Sequence, residues 1–241
     1  MNRGILVGAG VAALAVIGAG IALWPDAPAD PVPQSGPVEA DGALELVESG
    51  WSFLDEAGPA LSLAVVVSNP SDLIARGTTV EVTPVDADGV ALADPVDIVI
   101  DTVPAGERMA GAAVVPTDGE VPIDGLTVEV GPTTQWWYDA GDLAPKETLA
   151  LSGPIDFRDT YDGLSNLEFT LTREQDRTWV DFNAVALFRD ADGLVVGGCE
   201  HVFNIVGNRA VARVVDCPVP ETTDRDLTEV FADVMIGSQG E

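Results

Sequence analysis

The chain uses one phrase twice, Asp86-Ala87-Asp88-Gly89 and Asp190-Ala191-Asp192-Gly193, 104 positions apart, each led into by alternating hydrophobic residues. At the same offset Phe53-Leu54-Asp55 falls on Phe157-Arg158-Asp159, Leu63 on Leu167, Val65 on Phe169, Val67 on Leu171 and Val130 on Val234, without a gap. Self-similarity at a fixed period means one structural unit built twice. The phrase itself reads as a hairpin turn, because Asp-Gly supplies the positive φ that tight two-residue turns demand and glycine adopts it without steric cost.

Around each phrase the apolar period is two. Leu61, Leu63, Val65 and Val67 alternate with Ser62, Ala64, Val66 and Ser68, and Leu126, Val128 and Val130 alternate with Thr127 and Glu129. Such patterning marks strands that cover a core with one face. Asn69-Pro70-Ser71-Asp72 and Pro104-Ala105-Gly106-Glu107 punctuate the run as turns. The second copy follows with Leu167, Phe169 and Leu171, then Val180 and Phe182, then 202–206, 210–215 and 230–236. Short strands at regular spacing, broken by Gly and Pro, predict an all-β chain of two tandem immunoglobulin-like antiparallel β-sandwiches over residues 44–131 and 149–236. A linker, 132–148, joins them, and 237–241 is a tail. The linker carries Trp136-Trp137-Tyr138. These aromatics either pack to fix the angle between modules, the preferred reading, or form an exposed contact surface.

Ahead of the repeats, residues 4–24 hold no charged and no polar side chain, with Asn2 and Arg3 before them and Pro25-Asp26 after. As a helix rising about 1.5 Å per residue, this run spans roughly 30 Å, the thickness of a bilayer's hydrocarbon core. It predicts a single N-terminal transmembrane helix. Arg3 precedes the span and Asp26 and Asp30 follow it, which places the start in the cytoplasm and the repeats outside the cell. Trp24 suits the headgroup boundary, and Pro25 ends the helix for want of a backbone donor. The competing reading is a secretory signal cleaved after Ala27-Pro28-Ala29, and the anchor is preferred because signal cores usually run only about 7 to 15 residues. Gly4, Gly8 and Ala12 recur at a spacing that lets helices approach closely, although Gly and Ala are abundant throughout the span. Residues 25–43, rich in Pro and Asp, form an extended acidic spacer, too poor in large apolar side chains to offset its ordering entropy.

The order Leu63-Ala64-Val65-Val66-Val67-Ser68-Asn69-Pro70-Ser71, then Val80-Glu81-Val82, then Asp86-Ala87-Asp88-Gly89 and Pro104-Ala105-Gly106-Glu107 resembles the FxLyD family and its relatives among prokaryotic surface immunoglobulin-like domains. The likeness covers nearly all of 44–236, in two copies. Phe188 matches the family's aromatic before the Asp in the second copy, Pro84 stands there in the first, and the second copy lacks both the Asn-x-Ser and the Pro-x-Gly-Glu. The resemblance implies secreted or membrane-tethered binding or structural modules, with no catalytic residues to carry over.

Forty acidic residues stand against eleven basic ones, a net charge of −29, and the one Lys is Lys146. Charge of that size repels nucleic acid and anionic membrane surfaces alike and argues against either as a partner. Mean hydropathy is nonetheless positive, at +0.22, so this is not an acidic disordered chain. The acids are spread through both copies, which fits a surface adapted to high salt, where a screening length of about 3 Å at 1 M leaves carboxylates little mutual repulsion.

Cys199 and Cys217 flank a hairpin-like stretch centred near Asn208. An external compartment permits a disulfide between them, worth roughly 3 kcal/mol in the chain-entropy model; a free buried thiol pair, or redox or metal chemistry, are the lesser alternatives. His201 is the sole histidine, in a run with alternating apolar neighbours, and reads as structural or surface-lying in preference to a general base. There is no Gly-x-Ser-x-Gly elbow, phosphate-binding glycine loop or His-Glu-x-x-His helix. No catalysis and no cofactor are expected. The pairs Asp86/Asp88 and Asp190/Asp192 carry oxygens of the kind Ca²⁺ takes, but the further Asp and distal Glu of a helical calcium loop are missing, so the turn reading is preferred over a metal site.

These readings combine into a non-catalytic, single-pass protein of the cell membrane, whose outer domains are an interaction or structural module of the envelope with an unknown protein partner or envelope component. The rival is an accessory subunit of a membrane-embedded complex, such as a transporter or respiratory assembly, covering its outer face.

Overall fold

The computed structural model describes residues 44–55, 59–117, 122–131, 136–139, 149–160, 164–173, 180–205 and 209–234. The anchor segment 4–24, the spacer 25–43 and the tail 237–241 lie outside them. The first repeat contributes β1 (Glu45–Leu54), β2 (Ala60–Ser68), β3 (Leu73–Val85), β4 (Val96–Val103), β5 (Arg108–Pro116), β6 (Gly125–Val130) and β7 (Trp136–Asp139). The second contributes β8 (Leu149–Asp159), β9 (Leu164–Arg173), β10 (Val180–Arg189), β11 (Val195–Ile205), β12 (Arg209–Pro218) and β13 (Glu229–Val234). All ladders are antiparallel.

The duplication is visible in the ladders. Sheet orders β1-β2-β5 and β4-β3-β6 in the first repeat match β8-β9-β12 and β11-β10-β13 in the second, and β6 and β13 coincide at both ends under the offset of 104. Each repeat closes two sheets over one core. In the first, Leu63, Val65 and Val67 of β2 meet Val80 and Val82 of β3 and Ile98 and Ile100 of β4. In the second, Leu167, Phe169 and Leu171 of β9 meet Phe182, Ala184 and Phe188 of β10. Of these, Leu63, Val65, Val67, Leu167, Phe169, Leu171 and Phe182 are alternating residues read from the sequence.

The other face of two strands behaves differently from that reading. Ala64 and Val66 of β2, with Ala110 and Ala112 of β5, pack against Val185 and Leu187 of β10 and Val195 of β11 in a third core between the repeats. From Leu61 to Val67 every residue of β2 is buried. The expectation of one apolar face is therefore corrected for β2 and β10, because each lies in an inner sheet covered on both sides. Four sheets stack in the order β4-β3-β6, β1-β2-β5, β11-β10-β13, β12-β9-β8.

The two repeats thus meet through non-equivalent sheets, head to tail, a contact that by itself could extend indefinitely. The positions equivalent to the joining residues show why it stops. Ala64 and Val66 correspond to Glu168 and Thr170 on the outer face of the β8-β9-β12 sheet, and Val185 and Leu187 to Glu81 and Thr83 on the outer face of the β4-β3-β6 sheet. Polar side chains end the stack, as terminal repeats do in solenoids.

Both Asp-Ala-Asp-Gly phrases are turns, of a different type from the one expected. Asp88 and Asp192 have negative φ, whereas Gly89 and Gly193 stand at +77° and +82°. The Gly89 amide donates to the Asp86 carbonyl at 2.9 Å, and the Asp86 amide to the Val90 carbonyl at 3.0 Å. This is a three-residue loop, a type I turn followed by a left-handed glycine, in place of a two-residue type I′ turn. The leading Asp explains the choice: Oδ1 of Asp86 accepts the amides of Asp88 and Val90, and Oδ1 of Asp190 those of Asp192 and Leu194.

The Asn-x-Ser and Pro-x-Gly-Glu segments meet. Asn69, 1% exposed, donates through Nδ2 to the carbonyls of Leu73 and Val103, and its backbone exchanges bonds with Gly106 and Glu107. Gly106, at φ +72°, occupies the third position of the turn Pro104–Glu107, which only a residue free of Cβ fills without strain.

Candidate functional site at the junction of the repeats

The third core is built for close approach. β11 touches β1, β2 and β5 in succession, crossing the sheet steeply, and small residues stand where backbones come together. A Cβ on Gly50 of β1 would fall 1.7 Å from the Val195 carbonyl oxygen, and one on Gly198 would lie 2.9 Å from the Ala112 Cβ. Ser62, fully buried, donates Oγ–H to the Gly198 carbonyl at 3.2 Å and accepts the Gly198 amide at 3.0 Å. A bulge at Val196 opposite Phe188 and Arg189, with Gly197 at φ +145°, presents that stretch of β11 to Ser62.

Arg189 of β10 is the ionic half of the lock. Its guanidinium grips both carboxylate oxygens of Glu48 in β1, donates Nε–H to Glu229 of β13 at 2.8 Å, and reaches the Gly193 carbonyl with Nη1 at 2.8 Å. Arg108 adds a longer contact to Glu48 at 3.6 Å. The hydrogen bonds from Arg189 hold the Glu48 carboxyl below the usual carboxylate range in spite of partial burial, and Glu48 raises the Arg189 guanidinium further in return.

Where the crossed sheets diverge they leave a cleft of about 780 Å³. Leu54, Ala112 and Val114 form one wall, and Leu164, Val214 and the Cys199–Cys217 disulfide the other. A second cleft of about 540 Å³, lined by Trp51, Phe53, Val196 and Pro220, shares Leu54 and Pro218 with the first. Among the described residues, the charged ones along the two clefts are acidic: Glu200 and Asp216 in the first, Asp55, Asp190 and Glu221 in the second. Glu200 reaches solvent, yet partial burial pushes its carboxyl up; a hydrogen bond from Asn183 opposes this and Asp101 adds to it. Asp216 sits at φ +52° in a bulge of β12, its amide bonded to Asn166 Oδ1 at 3.1 Å. The extra residue brings Val214 and Cys217 onto the same core face.

The cysteine pair is bonded, with Cα atoms 6.0 Å apart, but not across a hairpin. β11 ladders with β10 and β12 with β9, so the disulfide ties two facing sheets. Trp137 is 7% exposed and lies in the core of the first repeat, on β7, which pairs with β3. It packs within that repeat and not across the junction; the side chains of Trp136 and Tyr138 lie outside the described set. His201 is half-buried in β11 beside Phe203, ring centroids 4.6 Å apart. Among the described residues no three His, Cys, Asp or Glu side chains gather closely enough to hold a metal ion.

The clefts had no signature in the sequence, since their described lining comes from six strands and four loops. The nearest signal was the unbroken apolar run of β2, which marks a strand covered on both faces. In comparisons with known proteins, no protein-family model matches the chain and no curated protein matches it significantly.

Proposed function

We propose that this chain is a non-catalytic interaction or structural module of the cell envelope, its repeats two immunoglobulin-like sandwiches of the FxLyD kind, held outside a salt-adapted cell by residues 4–24 and the spacer 25–43. One observation carries the reading. The repeats are locked head to tail by Ser62–Gly198 and Arg189–Glu48, and the lock leaves a fixed, acid-rimmed cleft on the joined body. Rigid modules bind through preformed concave surfaces of this sort at low ordering cost. The test is crosslinking in native membranes, followed by mass spectrometry of what co-migrates and of the chain's first residue. A partner crosslinked beside the cleft, on a chain retaining residues 4–24, supports the module. Partners crosslinked through residues 4–24 alone support the rival, an accessory subunit of a membrane-embedded complex. A chain beginning near Asp30 refutes the anchor.

A further inference from the structure

Building on that reading, we infer that the paired clefts at the junction receive an extended, basic and apolar polypeptide segment of a partner protein, added alongside β5. Three observations meet there. Among the described residues β5 is the last strand of its sheet, laddered to β2 on one side only, and an unpaired strand edge is a template for another extended backbone. The consecutive residues Ala112, Ala113 and Val114 of that strand line the cleft, and Val114 is 39% exposed, an apolar side chain left facing it. The smaller cleft lies beside the larger, the two sharing the buried Leu54 and Pro218, so sites for several successive side chains stand side by side, which suits a chain of residues more than one compact small molecule.

Charge selects the kind of segment. Glu200 and Asp216 stand at the rim of the larger cleft and Asp55, Asp190 and Glu221 along the smaller. Three described arginines are committed to other carboxylates, Arg189 to Glu48 and Glu229, Arg108 to Glu48, and Arg225 to Asp159. A segment with apolar side chains on one face and Lys or Arg on the other would bury the first against Leu54, Val114 and Val214 and set the second against the rim carboxylates. An acidic segment would meet like charge from the described rim residues of both clefts.

The test uses the full chain in mild detergent and a fluorescein-labelled nine-residue peptide of alternating Lys and Val, read by anisotropy. Saturable one-to-one binding is expected, weaker by about fivefold in the double variant Glu200→Gln/Asp216→Asn. Asn tolerates the left-handed backbone at position 216, so the fold is kept. Removing two charges from the far outer sheet, Glu81→Gln/Glu129→Gln, should leave affinity unchanged. A Lys-Ser peptide of equal charge should bind at least tenfold more weakly, and Val114→Asp should abolish binding of the Lys-Val peptide. Equal losses from the rim and outer-face double variants would reduce the effect to general attraction by an acidic protein and overturn the inference, as would equal affinity for Lys-Ser. If no basic peptide binds while Val114→Asp still removes a crosslinked partner in membranes, the peptide class falls and the interaction module stands.

Discussion

Replacing Ala64 with Glu installs in the first repeat the residue the second carries at the equivalent place, Glu168. Ala64 is fully buried in the junction, and a Cβ on Gly198 would already lie 3.3 Å from its own. There is no volume for a longer side chain, and an unpaired buried carboxylate costs several kcal/mol. Against it stands the burial of Val66, Val185, Leu187 and Val195, at about 1.5–3 kcal/mol per side chain a gross upper estimate of about 6–12 kcal/mol. The two terms are comparable, so the junction should open. The cores within each repeat do not contain residue 64 and should survive. Calorimetry of Ala64→Glu should therefore show two separate transitions where the parent shows one, with new binding of a hydrophobic dye to the exposed valines. Glu168→Ala, the reciprocal exchange on an outer face, should keep the single transition. One transition for Ala64→Glu at the parent's temperature would refute the tight junction.

Arg189→Met should destabilise by about 2 kcal/mol at pH 7, because it strands Glu48 and Glu229 in a partly exposed site; chemical denaturation measures it. Glu48 is held below its ordinary value, so its contribution is present above pH 4.5 and fades as pH falls through the lowered folded value. Glu48→Gln should accordingly lose stability at pH 7 and show a flatter stability profile through that acid window. Cys199→Ala/Cys217→Ala opens a link of 18 residues' separation and should cost about 3 kcal/mol on the same assay. Thermal melting should rise from low salt to molar KCl if the net charge of −29 is a high-salt adaptation; equal melting temperatures would dismiss that idea.

What could be read from the sequence was whatever depends on local period. Leu63, Val65 and Val67 announce a strand over a core, and their repetition at Leu167, Phe169 and Leu171 announces a second one, which is why the offset predicts β6 and β13 so well. The joining face was half legible: Ala64 and Val66 are apolar where a solvent-facing strand would be polar, but their small size, which signals close approach, looks the same as a neutral surface choice. The disulfide followed from compartment and spacing, while its inter-sheet geometry depended on β11 and β12 laddering in different sheets and on the bulge at Asp216. The bulge is one added residue, invisible without its partner strand. The clefts arise from the angle at which two sheets cross, and no single segment encodes that angle.

The Gly198 amide reports most directly on the central claim that the two repeats form one stacked body. It sits in the second repeat, yet its hydrogen bond goes to Ser62 of the first, at 3.0 Å. Native-state hydrogen exchange of that amide, followed by NMR on the labelled chain, should show protection approaching that of global unfolding, and Ser62→Ala should release it while ladder amides of β9 keep theirs. Exchange of the parent's Gly198 amide at the rate of an open loop would mean that the repeats are not joined in this way.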